Sequence, residues 1–134
     1  MSKNYEQYVS FETAKLLKKV GFDVPCDNCY CTNEEYGGDY LIQNGIVNHN
    51  LEEELVSCPT QAVVLRWLRE EKELIINTSP LCVQIKDSIV IKSYTVYVRR
   101  IGKNPFHIYV RDLPTYEEAI ERGIEKCIGL MLEN

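Results

Sequence analysis

A chain of 134 residues with 45% hydrophobic and 26% charged side chains has the size and composition of one globular domain. Seven Gly and five Pro are too few for a fibrous or low-complexity chain, and a net charge of −5 argues against a wholly basic nucleic-acid binder. No apolar run approaches the roughly 20 residues that span a bilayer, and Met1–Glu6 lacks the apolar segment of a signal peptide, so a cytoplasmic protein without membrane contact is expected.

The first predicted element is a helix. Ser10 is a suitable N-cap and Glu12 lies where the helix dipole favours an acid. Phe11, Ala14, Leu17 and Val20 recur at helical spacing, and Gly21 followed by Phe22 reads as a Schellman ending. Residues 23–58 carry turn signals at Gly37-Gly38-Asp39 and Gln43-Asn44-Gly45, with short strands between them. Asn50 ahead of Leu51-Glu52-Glu53-Glu54-Leu55 predicts a capped single helical turn.

A second helix is expected from Pro59 to Glu70, with Val63, Val64, Trp67 and Leu68 forming a broad apolar face. Strand-like runs follow at Leu74–Asn77, Leu81–Lys86, Ile89–Arg100 and Phe106–Asp112. The turns at Asp87-Ser88 and Gly102–Pro105 make the last three an antiparallel meander. Thr115 and Glu118 form a capping box for a closing helix, whose stripe runs Tyr116, Ala119, Ile120, Gly123, Ile124, Cys127, Ile128 and Met131. Glu117, Glu121, Arg122, Glu125 and Lys126 are expected to face water. The fold class is therefore α+β: a single domain over 1–134, with an antiparallel sheet of three to five strands flanked by three helices.

Three segments carry a resemblance. They are Phe11–Lys18 with Gly21-Phe22 and Pro25-Cys26; Cys58–Ala62 leading to Trp67–Glu70; and Tyr116–Ala119 with Gly123-Ile124. Together they resemble a group of small uncharacterised proteins encoded by phages and prophages of gut bacteria. The resemblance implies a phage or prophage setting and an accessory role toward nucleic acid or a host protein; it brings no activity, cofactor or binding residue with it.

Six cysteines without an export signal imply reduced thiols. Cys82, Cys127 and Cys58 stand where a small hydrophobe fits. Cys26, Cys29 and Cys31 are spaced as thiolates that share zinc, with His49 or Cys58 as a fourth ligand; the same alternation suits one buried face of a strand, and no cofactor is assigned. Cys58 at a helix start is a candidate catalytic nucleophile if the helix dipole lowers its pKa and His49 or His107 serves as base. Glu34-Glu35 and Glu52-Glu53-Glu54 are read as solvated acids rather than an acid–base pair.

Charge is segregated along the chain. Phe22–Cys58 holds eight acids and no Lys or Arg, whereas Pro59–Asp112 holds nine basic residues against five acids. The acidic stretch suits a basic protein partner, and equally suits acids that keep a surface loop soluble. Among the later strands Lys86, Lys92, Arg99, Arg100, Lys103 and Arg111 lie near Tyr94, Tyr97, Tyr109 and His107, a composition suited to single-stranded nucleic acid.

Three functions follow, in order. The first is a non-catalytic protein-interaction or regulatory module that engages a host or phage protein. The second is a single-stranded nucleic-acid-binding module using the strands at 86–111. The third is a thiol- or metal-dependent enzyme. Trp67 is a candidate for burial in a homodimer.

Overall fold

The computed structural model describes residues 7–32, 40–102 and 105–133, with the backbone alone for 40–44. Helix α1 (Phe11–Lys19) is capped by Ser10, whose side chain accepts from the Thr13 amide. It ends as the sequence implies. Gly21 takes a φ of 89°, Phe22 N donates to the Leu17 carbonyl at 3.0 Å, and Gly21 N donates to that of Lys18 at 3.1 Å.

Strand β1 (Cys26–Cys31) is the centre of a first sheet, flanked antiparallel by β2 (Tyr40–Val47) and β3 (Leu55–Ser57). The predicted helical turn at Leu51 is instead a short 3-10 helix over His49–Leu51, capped by Asn48. Asn50 is drawn off by tertiary bonds: its Nδ2 donates to the Phe22 carbonyl at 2.9 Å and its Oδ1 accepts from Ser57 N at 2.8 Å. Lys18 Nζ, beyond the other end of that loop, donates to the carbonyls of Glu52, Glu53 and Leu55. The turn expected at Gly37-Gly38-Asp39 lies outside the described residues.

Helix α2 (Gln61–Lys72) begins two residues later than Pro59 suggests, because Thr60 is the cap and accepts from Val63 N. Pro59 lies ahead of it, and its carbonyl accepts from Val9 N. After α2 the chain enters a second sheet, ordered β4 (Leu74–Ile85), β5 (Ser88–Arg100), β6 (Phe106–Leu113). Two runs expected as separate strands are thus one twelve-residue strand that passes through Pro80. Proline is tolerated there because β4 is the edge of its sheet, where one side of the strand has no ladder to feed. Helix α3 (Tyr116–Leu132) closes the fold behind its capping box, with Thr115 accepting from Glu118 N at 3.1 Å.

The architecture is α+β, and the described residues form three α-helices and two antiparallel three-stranded sheets where one sheet was expected. One apolar cluster ties the parts together: Leu17 of α1, Val56 of β3, Leu68 of α2, Leu74 and Val98 of the second sheet, and Ile124 of α3. Trp67 belongs to that core, 6% exposed and edge-on to Phe22 at 5.1 Å, so it is not an apolar surplus awaiting a second copy. Among the described residues no helix is long and apolar enough to cross a membrane.

Candidate functional site

The thiols are placed by the first sheet. Cys29 is fully buried, and Cys26 and Cys31 are half-buried on the same strand. Burial raises the Cys26 thiol, opposed in part by hydrogen bonding to Ser57; burial also raises Cys29, with Cys26 and Cys31 adding to it. Among the described residues no three His, Cys, Asp or Glu side chains are gathered as a metal would need. His49 is buried, and its Nε2 faces the carbonyls of Cys26 (2.9 Å) and Gly45 (3.0 Å). Two acceptors at one nitrogen mean that Nε2 carries the proton and acts as a structural tie.

Cys58 is fully buried, two residues ahead of the α2 cap, and its Sγ meets the Val9 carbonyl at 3.5 Å. Burial lifts the thiol from 9.0 to about 11, against a smaller lowering from Tyr30. A nucleophile needs the opposite shift and an open approach, so the helix-start argument for catalysis by Cys58 does not carry over to the folded chain. His107, the other candidate base, is exposed on β6 of the second sheet.

The acids of the first half divide. Glu52, Glu53 and Glu54 are exposed on the loop before β3, as expected of solvated carboxylates, while Glu34, Glu35 and Asp39 lie outside the described residues. Glu121 departs from expectation. It turns inward from α3 and accepts from Ser10 and Thr13 of the first helix start and from Gln61 Nε2 of α2.

The second sheet has two unlike faces. Helix α3 packs on Ile76 and Val96, close enough that a Cβ on Gly123 would meet them at 2.8 and 2.9 Å. Strand alternation therefore sends Leu74, Ile76, Val96, Val98 and Phe106 inward, and Asn77, Tyr97, Arg99, His107, Tyr109 and Arg111 outward. The register Tyr97↔Tyr109 and Arg99↔His107 brings the aromatic residues side by side. Tyr97 stacks on His107 with ring centroids 5.6 Å apart and planes 22° apart. Tyr109 lies 6.3 Å from Tyr97 and 6.4 Å from His107. Arg111 sits over the Tyr109 ring at 4.9 Å.

The structure thus sorts the six candidate cations. Arg99 and Arg111 frame the aromatic face. Arg100 lies over Phe106 on the inner side at 4.8 Å, and Lys103 is outside the described residues. Lys86 and Lys92 belong to the far half of the β4–β5 hairpin, and Tyr94 turns inward to meet Tyr116.

That far half is a two-stranded arm. Strand β6 ends opposite Tyr94 (Leu113↔Tyr94), so among the described residues Leu81–Ser93 continues with no third strand beside it. Lys92 is the extra residue of a bulge between the pairs Leu81↔Ser93 and Cys82↔Ile91, and Lys86 makes the end turn with a φ of 56°. The arm is apolar on both faces. Ile89 and Ile91 occupy one, at 74% and 54% exposure, and Leu81, Ile85 and Val90 the other. Cys82, expected inside, is exposed here. The signal available in the sequence was the unbroken run Ile89-Val90-Ile91, which lacks the alternation of a half-buried strand. No family model, curated protein or solved structure matches the chain.

Proposed function

We propose that the protein is a small non-catalytic interaction module of a phage or prophage, and that the β4–β5 arm is its contact element. The observation that carries this reading is the exposure of Leu81, Ile85, Ile89, Val90 and Ile91 on a ribbon that no other element among the described residues covers. A free two-stranded hairpin is marginal in water, and these five side chains leave on the order of 500 Å² of apolar surface, divided between its two faces. Burial of Cys58 and the structural use of His49 weigh in the same direction, away from thiol chemistry.

The occupant that fits best is a second copy of the chain. Both edges of the arm are open to strand pairing, and a two-fold axis can set the Ile89 and Ile91 strip of one face against its own copy. Pairing of two arms through one face buries about half of that apolar surface on each protomer, which places the contact below the roughly 800 Å² per partner of a standard interface, in the range of a weak one. The turn residues Lys86 and Asp87 add adjacent charges of opposite sign, which suits a self-complementary contact.

Light scattering coupled to gel filtration tests the reading. A dimer is expected for the wild-type chain, and a folded monomer for the double variant Ile89→Lys, Ile91→Lys. The substituted side chains are already exposed, so the monomer should keep its far-UV circular dichroism. A wild-type chain that stays monomeric at the highest attainable concentration overturns self-association through the arm.

A further inference from the structure

We infer that the outer face of the second sheet is a binding site for single-stranded nucleic acid, built on Tyr97, His107 and Tyr109 and framed by Arg99 and Arg111. This site is separate from the arm and independent of whether the arm pairs.

Three observations converge on it. The first is the ring cluster itself: three aromatic side chains from two adjacent strands, with centroids 5.6–6.4 Å apart, on the side of the sheet away from the helices. Tyr109 is 51% exposed. Large aromatic rings left in water without a covering element offer flat surfaces for stacking, and every base presents a matching π-face. The second is charge. The stretch Leu74–Leu113 holds six Lys and Arg against two acids. Both acids are off the aromatic cluster: Asp87 is in the end turn and Asp112 follows Arg111 with a left-handed φ of 63°.

The third is the placement of the remaining acids. Glu70 and Glu71 on α2, and Glu117, Glu118 and Glu125 on α3, belong to the helices that cover the opposite side of the sheet. Glu73, which ends α2, sets its carboxylate beside Gly102 at the end of the face, away from Tyr109 and Arg111. The net charge of −5 is therefore compatible with a cationic sheet face, since the sum hides a polarity between the two sides. A hollow at the end of the face is lined by Arg99, Gly102 and His107, with Arg100 and Phe106 at its inner side, so that Arg99 is the guanidinium a backbone phosphate can meet beyond the stacked rings. Rings in the middle with cations at both margins match a strand whose bases lie on the sheet and whose phosphates pass along its borders. An acidic peptide would use the cations but would leave the three rings without a planar partner.

The test is fluorescence anisotropy with a labelled oligothymidylate of about 15 nucleotides, using the full chain. Binding is expected, weakening steeply as salt rises. Tyr109→Ala and Arg111→Ala should each weaken it by about tenfold. Both side chains are exposed, so folding monitored by circular dichroism should not change. Arg122→Ala, on α3, should leave affinity unaltered. The inference is overturned if the oligonucleotide is not bound at low salt. It is equally overturned if Tyr109→Ala binds like wild type, if a duplex competes as well as the single strand, or if poly-glutamate binds as tightly as the oligonucleotide, which marks the face as a dock for an acidic protein.

Discussion

Thr13 on α1 donates its hydroxyl to Glu121 Oε2 on α3, across 108 positions of sequence. The same carboxylate oxygen accepts from Ser10 Oγ at 3.1 Å, and Oε1 accepts from Gln61 Nε2 at 3.3 Å. One side chain thus joins the starts of the first two helices to the middle of the third. Thr13 and Gln61 are buried, so losing their acceptor leaves donors that water reaches poorly. Glu121→Ala is expected to destabilise the fold by about 2 kcal/mol, read as a lower urea midpoint with an unchanged slope. A change within a few tenths of a kcal/mol, the usual size for a surface position, would mean that the carboxylate is in effect solvated.

Gly123 sets how closely α3 approaches the second sheet. A Cβ there would come within 2.8 Å of Ile76 Cγ2 and 2.9 Å of Val96 Cγ2. Both neighbours are β-branched and held in strands, so neither can swing aside without moving its backbone. Gly123→Ala gains helix propensity of up to about 1 kcal/mol, yet overpacking costs about 1–3 kcal/mol. The net expectation is a lower melting temperature. A rise would show that α3 can lift off the sheet at little cost.

Glu73 offers the opposite case. It ends α2 in the left-handed region with a φ of 57°, and its carbonyl accepts from Ile101 N at 3.0 Å. A side chain with a Cβ is disfavoured there, and the bond uses only backbone atoms, which glycine supplies equally. Glu73→Gly is expected to raise stability by about 0.5–1 kcal/mol after the added freedom of the unfolded chain is counted. A loss of stability in calorimetry would place an unrecognised role on the carboxylate.

What the sequence made legible tracks how local each signal is. The ends of α1 and the start of α3 were readable because Ser10, Gly21, Thr115 and Glu118 act on backbone groups within a few residues of themselves. The short 3-10 helix was misread because Asn50 bonds Phe22 and Ser57, neighbours that only the fold supplies. Glu121 was placed in water because its position on α3 adjoins other charges, and nothing in the local pattern reveals Thr13 or Gln61 beside it. The aromatic face was legible as composition, Tyr and Arg in β-branched runs. Its membership was not, since the register Tyr97↔Tyr109 decides that Tyr94 and Arg100 turn the other way. The arm was hidden for the same reason: strand length can be read from the chain, whereas the point at which β6 stops supporting β5 cannot.

The thiols supply a prediction in which burial alone sets reactivity. Cys58 is lifted from 9.0 to about 11 and Cys127 to about 12, in each case chiefly by burial. At pH 8 roughly one Cys58 thiol in a thousand is ionised, against about one in ten for a thiol that titrates at 9.0. A thiol-labelling reagent should therefore modify exposed Cys82 readily in the native state, and Cys58, Cys127 and buried Cys29 only on unfolding. The linkage to stability follows in sign. The unfolded thiols ionise near 9.0 while the folded ones remain protonated to about 11 and about 12, so the folded state holds more protons throughout that interval. Stability is unaffected by these groups below pH 9 and falls as pH rises through 9 to 12. Tyrosines and lysines titrate over the same range, so the informative comparison is the urea midpoint against pH for wild type and for Cys127→Ala. The variant starts from a lower midpoint because of the cavity it leaves, but its midpoint should fall less steeply above pH 9. Parallel slopes would show that Cys127 ionises no later in the folded chain than in the unfolded one, and that the helix–sheet seam around it admits water.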